Sequence, residues 1–234
     1  MRRRGFTLIE LLVVISVIVV LVGILLPALS RSRQIGRAAK CLANMHSLCA
    51  AVQMYADNNE GFLPTGGFAH GGSVDEGAAW INTAAQEIGS EQVVRCPADE
   101  SPYWNQVVPN SDQKRRMSYA NNYYMMGTIE GREEFTSLTR IKRSSATIFW
   151  AELTQQGSFA ASDHVHPETW FISPRTFAAR EVDLERHLKR ANYGFLDGHA
   201  EPQRFEDTYT LNVQASQFPN LVWTHNKYDP AVGW

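Results

Sequence analysis

An apolar run near the N-terminus constrains this chain more than any other feature. No charged residue occurs between Leu11 and Ser30. About 20 such residues in a helix span the hydrocarbon core of a bilayer, which is ~30 Å thick. One carboxylate, Glu10, stands at the start of the run, and arginines occupy positions 2–4. The run therefore predicts a membrane-spanning helix whose first turn carries an acidic side chain in need of a partner.

The residues around Gly5 resemble the leader of type IV prepilins and type II secretion pseudopilins. The short basic leader, Gly5, Phe6 and Glu10 each match a position of that motif. The resemblance implies that prepilin peptidase cleaves after Gly5 and N-methylates Phe6. It also implies that Glu10 pairs with the N-terminal amine of a neighbouring subunit during assembly. Such pairing is physically reasonable, because a carboxylate and an ammonium are each costly alone in lipid.

Three other interpretations of this stretch are an ordinary secretory signal peptide, an uncleaved anchor and a twin-arginine signal. Ala28-Leu29-Ser30 resembles a signal-peptidase site, and Arg3-Arg4-Gly5-Phe6 loosely matches a twin-arginine motif. The apolar region of signal peptides, however, is only ~7–15 residues long, and an acidic residue at its start is unusual. Twin-arginine signals are also less hydrophobic. We therefore favour the prepilin interpretation.

Charges on either side of the run give an ambiguous orientation. The leader arginines favour a cytoplasmic N-terminus, but four basic residues follow the run: Arg31, Arg33, Arg37 and Lys40. The resemblance to prepilins implies a single-pass inner-membrane protein whose domain lies outside the cytoplasm. Extraction into a periplasmic or cell-surface fibre is implied in the same way.

Composition and spacing suggest three parts: a leader at 1–5, a long helix at 6–60 and an exported globular domain at 61–234. The helix divides into a transmembrane half, 6–29, and an amphipathic stalk, 30–57. In the stalk, apolar residues recur at helical spacing at Leu42, Met45, Leu48, Cys49, Val52 and Tyr55, while Arg37, Lys40, Asn44, Ser47 and Gln53 occupy the other side. The helix is expected to end at Asp57–Gly61. The expected fold is α+β and pilin-like, with this helix packed on a mainly antiparallel sheet.

The rest of the sequence predicts short helices and strands. Thr147–Glu152 is expected to be a central strand covered on both faces, and Ala78–Ile88 a short helix. Lys114-Arg115-Arg116 indicates a solvated loop. A net charge of −2 gives no electrostatic case for nucleic-acid binding. The abundant aromatic residues near the C-terminus predict a tail packed on the domain.

A second pattern places His187 nine residues before Asp197-Gly198. It resembles the His-x9-Asp-Gly signature at the end of many prepilin-like proteins, as do Cys41-x-x-Asn44 and Cys96-Pro97. Strand 192–196, an Asp-Gly turn with positive φ at both residues, and strand 199–205 would form a hairpin. His187 and Asn192 are expected to satisfy backbone groups around it.

The cysteines leave two possibilities open. Cys41 and Cys49 would lie ~12 Å apart along one helix, too far to bridge. Either could pair with Cys96, or all three could be buried small hydrophobic residues.

No catalytic, zinc or calcium motif occurs, so neither an enzyme nor a cofactor is predicted. The weak metal-ligand candidates are His164, His166, His187 and His199, with Glu152 and Asp197 as acidic neighbours.

The function expected from the resemblance is a pilin- or pseudopilin-like structural subunit. Its partners would be prepilin peptidase, other such subunits and the inner-membrane assembly machinery, with no nucleic acid. The alternative is a surface-displayed module that binds a ligand or metal on a pilin scaffold. A deep aromatic pocket near His187 or His164 would favour that alternative.

Overall fold

One helix, α1, organises the structure, a computed structural model that describes residues 8–67, 77–109, 111–127, 133–212 and 223–231. Helix α1 spans Leu8–Asn58 and continues through Pro27. Every residue from Leu8 to Arg37 is exposed, and the second half packs against the domain. The predicted long helix is therefore confirmed. The leader residues Gly5 and Phe6 lie outside the described residues.

The clearest difference between the packed half of α1 and its predicted stripe is at Asn44. Its buried residues are Cys41, Asn44, Met45, Leu48, Cys49, Ala51, Val52 and Ala56. Asn44, expected on the solvent side, is buried because its amide donates hydrogen bonds to the carbonyl oxygens of Arg95 (2.9 Å) and Gln92 (3.3 Å). A polar side chain can thus lie on the packed face when it pairs buried backbone groups.

Helix α1 ends within the predicted stop signal at residues 57–61. Gly61 (φ 85°) donates its N–H to the carbonyl of Ala56 at 2.8 Å. The left-handed residues are Glu60 and Gly61 rather than the asparagines before them. This closing turn pairs one of the carbonyls that a helix leaves open at its C-terminus.

Five strands form the main sheet: β1 (Tyr119–Asn122), β2 (Ile148–Glu152), β3 (His164–Val165), β4 (Ala191–Phe195) and β5 (Ala200–Gln203). Their order is β3-β1-β2-β4-β5. Only β1 and β3 are parallel among these pairs; the others are antiparallel. Strands β6 (Tyr209–Leu211) and β7 (Trp223–Asn226) form a second sheet. The α+β, pilin-like prediction is confirmed.

Both faces of the main sheet are covered, and β2 is buried throughout, as its continuous apolar sequence predicts. Helix α1 covers one face with residues such as Met45 and Cys49. It approaches closely at Gly194, where an added Cβ would lie 2.6 Å from the Cys49 sulfur. Aromatic residues cover the other face: Trp170, Tyr193, Phe195, Phe205, Tyr209 and Tyr228. The described part of the C-terminal tail therefore packs on the domain.

The predicted helix at 78–88 forms as two single turns, α2 (Trp80–Thr83) and α3 (Ala85–Ile88). Ala84 breaks the helical path between them, and Gly89 (φ 69°) ends the second turn. A third short helix, α4, spans Pro174–Ala178.

Candidate functional site

The exposed half of α1 is the first candidate site. It is long and apolar enough to cross a membrane, and none of its apolar stretch is buried in the structure. Glu10 lies in its first turn, and the next acidic residue of the helix is Asp57. The Glu10 carboxylate faces an apolar medium whenever lipid or another helix covers this surface. The site therefore combines a large apolar surface with one charge near the helix N-terminus.

The second candidate is a buried polar centre made by Cys41, Cys96, Glu152, His187 and Asn192. Glu152, at the end of β2, is fully buried, and its Oε1 shares a 2.7 Å hydrogen bond with His187 Nε2. Its Oε2 accepts a hydrogen bond from the Asn192 backbone N–H at 2.9 Å. His187 Nε2 also lies 3.7 Å from the Cys96 sulfur. The centre therefore lies at the contact of α1, the sheet and two loops.

A strained turn holds His187 in this centre. His187 and Arg190 exchange backbone hydrogen bonds of 2.8 and 3.0 Å. Between them, Leu188 (φ 53°) and Lys189 (φ 68°) are both left-handed. Such turns favour Gly, Asn and Asp, and a left-handed conformation costs other residues about 1–2 kcal/mol each. The sequence carries no turn signal here, so this tight turn was not predicted.

The Asp-Gly turn is correctly located, but its predicted geometry is wrong. Only Gly198 has a positive φ, 100°. Phe195 accepts a hydrogen bond from Gly198 N (3.2 Å) and donates one to the His199 carbonyl (2.9 Å). The loop thus has three residues with a left-handed glycine last, a common hairpin form. Asp197 contacts His199, whose ring stacks on Phe195 at 4.2 Å. The His-x9-Asp-Gly pattern thus covers two separate turns, one that begins at His187 and one that contains Asp197-Gly198.

The prediction of a solvated loop at 114–116 is wrong for Arg115. Arg115 is 3% exposed and donates from Nε to Asp99 Oδ2 at 2.8 Å. Its Nη1 donates to the carbonyl oxygens of both Thr154 (2.7 Å) and Ala160 (2.6 Å). Burial alone would raise the pKa of the Asp99 carboxyl, but Arg115 and the nearby Arg186 outweigh it and hold that pKa below its ordinary value. Five donors in a planar fork suit arginine to this position.

A disulfide joins Cys41 of α1 to Cys96, with Cα atoms 4.9 Å apart. It is one of the two pairings that the sequence leaves open. Cys49 is the free cysteine, and it is buried. The bridge fastens the helix to the loop that precedes β1, beside Glu152 and His187.

Removing this disulfide is expected to destabilise the domain strongly. It closes a loop with a sequence separation of 55 residues, so the double variant Cys41→Ala/Cys96→Ala should lose about 4 kcal/mol of unfolding free energy. Denaturant unfolding of purified chain would measure the loss. Reductant should destabilise the native chain and leave the double variant unchanged. Equal stability of the two chains would contradict a structural role for the bridge.

Cys49 is expected to be chemically inert in the folded chain. Burial raises the pKa of its thiol to about 12, and only the thiolate reacts as a nucleophile. Alkylation by iodoacetamide near pH 8 should be at least 100-fold slower in the native chain than in denaturant. Mass spectrometry of the labelled chain would measure both rates. Rapid native labelling would show that the site opens.

The four histidine candidates do not form one metal site. His164 and His166 lie together, with ring centroids 4.7 Å apart and Tyr123 beside both. His187 belongs to the buried polar centre, and His199 to the hairpin turn. Within the described ranges, one group of at least three ligand side chains has its ligand atoms within 4.8 Å of one another: Cys41, Cys96, Glu152 and His187. Sequence spacing could not reveal it, because three of its members lie in separate segments far from His187.

A cleft of about 550 Å³ lies elsewhere on the domain, against α2 and α3. Its walls include Ile81, Ile88, Arg95, Trp104 and Arg116, and the Arg95 guanidinium stacks 4.2 Å over Trp104. Neither His187 nor His164 lines it, so it is not the pocket that would favour ligand display. That alternative stays a prediction.

Comparison with known proteins gives one finding. The prokaryotic N-terminal methylation motif matches residues 1–26. No curated protein and no solved structure matches the chain. The match covers the leader, Glu10 and most of the apolar run. It indicates a type IV pilin-like N-terminus, and the apolar helix fits a single-pass membrane anchor.

Proposed function

We propose that this chain, whose N-terminus carries a prepilin-type methylation motif, is a pilin- or pseudopilin-type structural subunit. The observation that carries the proposal is the match of residues 1–26 to that motif, in a chain whose helix α1 is exposed at every residue from Leu8 to Arg37. Prepilin peptidase would cleave after Gly5 and methylate Phe6. The precursor would cross the inner membrane once, with its N-terminus in the cytoplasm and residues 61–234 outside.

The exposed apolar surface supports assembly. Large side chains from Leu8 to Leu29 are about half exposed or more. Soluble monomers rarely expose contiguous apolar patches larger than a few hundred Å². Lipid can cover this surface in the precursor, and neighbouring copies of α1 can cover it in a fibre. One helix would therefore serve both states.

Glu10 supplies the specific contact in this proposal. Cleavage after Gly5 would create an ammonium at Phe6, a few residues from Glu10. A carboxylate and an ammonium that both lie in an apolar medium gain most by pairing with each other. Pairing between neighbouring subunits would set their register along the fibre. The partners are other pilin-type subunits and the inner-membrane assembly machinery.

The polar centre supports a structural rather than a catalytic role. Glu152 is fully buried and His187 is 6% exposed. Both contact other buried groups rather than an open surface. In this proposal His187 and Asn192 hold the ends of β2 and β4, and Gly198 makes the hairpin turn.

The mature N-terminus is the decisive measurement for processing. Intact-mass and peptide mass spectrometry of chain from cells that contain prepilin peptidase should find N-methylated Phe6 first. A Gly5→Leu variant should remain uncut, since a bulky residue replaces the small one at the cleavage site. A mature chain that begins at Arg31 would instead identify a secretory signal, and an unprocessed wild-type chain would identify a plain anchor.

A further inference from the structure

The buried polar centre gathers four side chains that commonly bind transition metals. Cys41, Cys96, Glu152 and His187 offer two sulfurs, one carboxylate oxygen and one imidazole nitrogen, all within 4.8 Å of one another. Thiolate, imidazole and carboxylate are the ligands that zinc takes in proteins, normally four in a tetrahedron. In the structure the two sulfurs are joined in a disulfide. The same four residues can therefore make a covalent bridge or surround an ion, but not both.

A tetrahedral ion would need side-chain movements of roughly 1–2 Å, and the largest is the separation of the two sulfurs once their bond is broken. Zinc lies ~2.3 Å from sulfur and ~2.0–2.2 Å from nitrogen or oxygen, so its ligand atoms lie roughly 3.3–3.8 Å apart. His187 Nε2 is already 3.7 Å from the Cys96 sulfur. Its 2.7 Å contact with Glu152 Oε1 would have to lengthen by roughly 1 Å to admit the ion.

Groups outside the four would hold the ligands in place. The Asn192 backbone N–H binds Glu152 Oε2 at 2.9 Å and leaves Oε1 directed at His187. The tight turn at 187–190 fixes the position of the imidazole. Such surrounding hydrogen bonds orient metal ligands and raise affinity. The Arg186 side chain, which is 1% exposed, also lies near Glu152 and would offset part of the negative charge of a site with two thiolates.

We propose that, when the Cys41–Cys96 disulfide is reduced, these four side chains bind one zinc-class divalent ion. A dithiol reductant would supply two electrons, break the S–S bond and itself become a disulfide. The two thiols would then lose their protons to solvent as the ion binds, and neutral His187 would coordinate through Nε2. The hydrogen bond between His187 and Glu152 would be replaced by two bonds to the ion. This proposal does not depend on fibre formation.

Cobalt is a suitable probe, because tetrahedral Co²⁺ with thiolate ligands absorbs in the near-ultraviolet and visible regions. Full-length chain in detergent would be reduced with a phosphine, desalted without oxygen and titrated with Co²⁺. We expect one ion per reduced chain with thiolate-to-cobalt bands, and displacement by Zn²⁺. The oxidised chain should bind none. Zn²⁺ at 100 times its Kd should raise the Tm of the reduced chain by roughly 5–10 °C.

Three variants distinguish metal binding at this site from adventitious metal binding elsewhere on the chain. Cys49→Ala removes the thiol outside the group and should keep the bands. Cys41→Ser and His187→Gln should each weaken binding at least tenfold and alter the bands. Equal binding by the oxidised chain or by these two variants would overturn the proposal. So would a reduced chain that unfolds, by near-ultraviolet circular dichroism, and does not refold when Zn²⁺ is added.

Discussion

Replacement of Glu10 by leucine is expected to leave cleavage after Gly5 intact and to reduce incorporation into a fibre by roughly 100-fold. The variant would leave a neighbour's N-terminal ammonium unpaired in an apolar medium. An unpaired charge at the centre of a membrane costs about 2.5–3.5 kcal/mol on insertion scales, and 1.4 kcal/mol corresponds to a factor of ten. Immunoblots of sheared fibre and membrane fractions would give the ratio, with mass spectrometry to check cleavage.

Two matched variants test whether charge rather than packing is responsible. Glu10→Asp keeps the carboxylate and should retain most incorporation. Leu12→Val changes an exposed apolar side chain on the same helix and should have little effect. Normal incorporation of Glu10→Leu would refute the pairing role. Failure of both controls would indicate that assembly depends on the shape of the helix surface.

Replacement of Arg115 by methionine is expected to reduce the free energy of unfolding by about 3–5 kcal/mol. The variant leaves the buried carboxylate of Asp99 with much less compensating charge. It also removes the donors to the carbonyl oxygens of Thr154 and Ala160. For a chain of this size the Tm should fall by roughly 10 °C. Thermal and denaturant unfolding would measure both effects.

Arg116 provides the matched control. It is the next residue, it is exposed, and it donates to Asn82 Oδ1 at 3.1 Å. Arg116→Met removes the same charge and should change stability by no more than about 0.5 kcal/mol. Similar losses for the two variants would mean that the loop as a whole, rather than the buried ion pair, determines stability.

The elements that the sequence predicts well are those with a local signal. Helix α1 has an uncharged apolar run, then apolar residues at helical spacing and a stop signal at residues 57–61, and its C-terminal end at Asn58 falls within that signal. Strand β2 has an apolar run of strand length that ends at Glu152. Glu10 could be identified as a candidate because its proposed role depends only on the residues next to it in the sequence.

The features that the sequence does not predict depend on contacts between distant segments. Arg115 looks like part of a basic surface loop until Asp99 and two carbonyl groups are brought around it. The buried polar centre joins residues 41, 96, 152 and 187, and no short pattern contains more than one of them. Leu188 and Lys189 adopt a turn that their identities disfavour, because their neighbours on both sides are held in place.

The disulfide has a mechanical consequence. Cys41 is the first buried residue of α1 beyond its exposed half. Tension drawn along the helix from that half would reach the exposed Arg37–Glu100 ion pair and then this residue, the first one that is covalently joined to the rest of the domain. Non-covalent packing yields easily when it is peeled from one end, contact by contact. A covalent bond at that end distributes the force over the remaining contacts. The domain would therefore move together with its helix and would not separate from it.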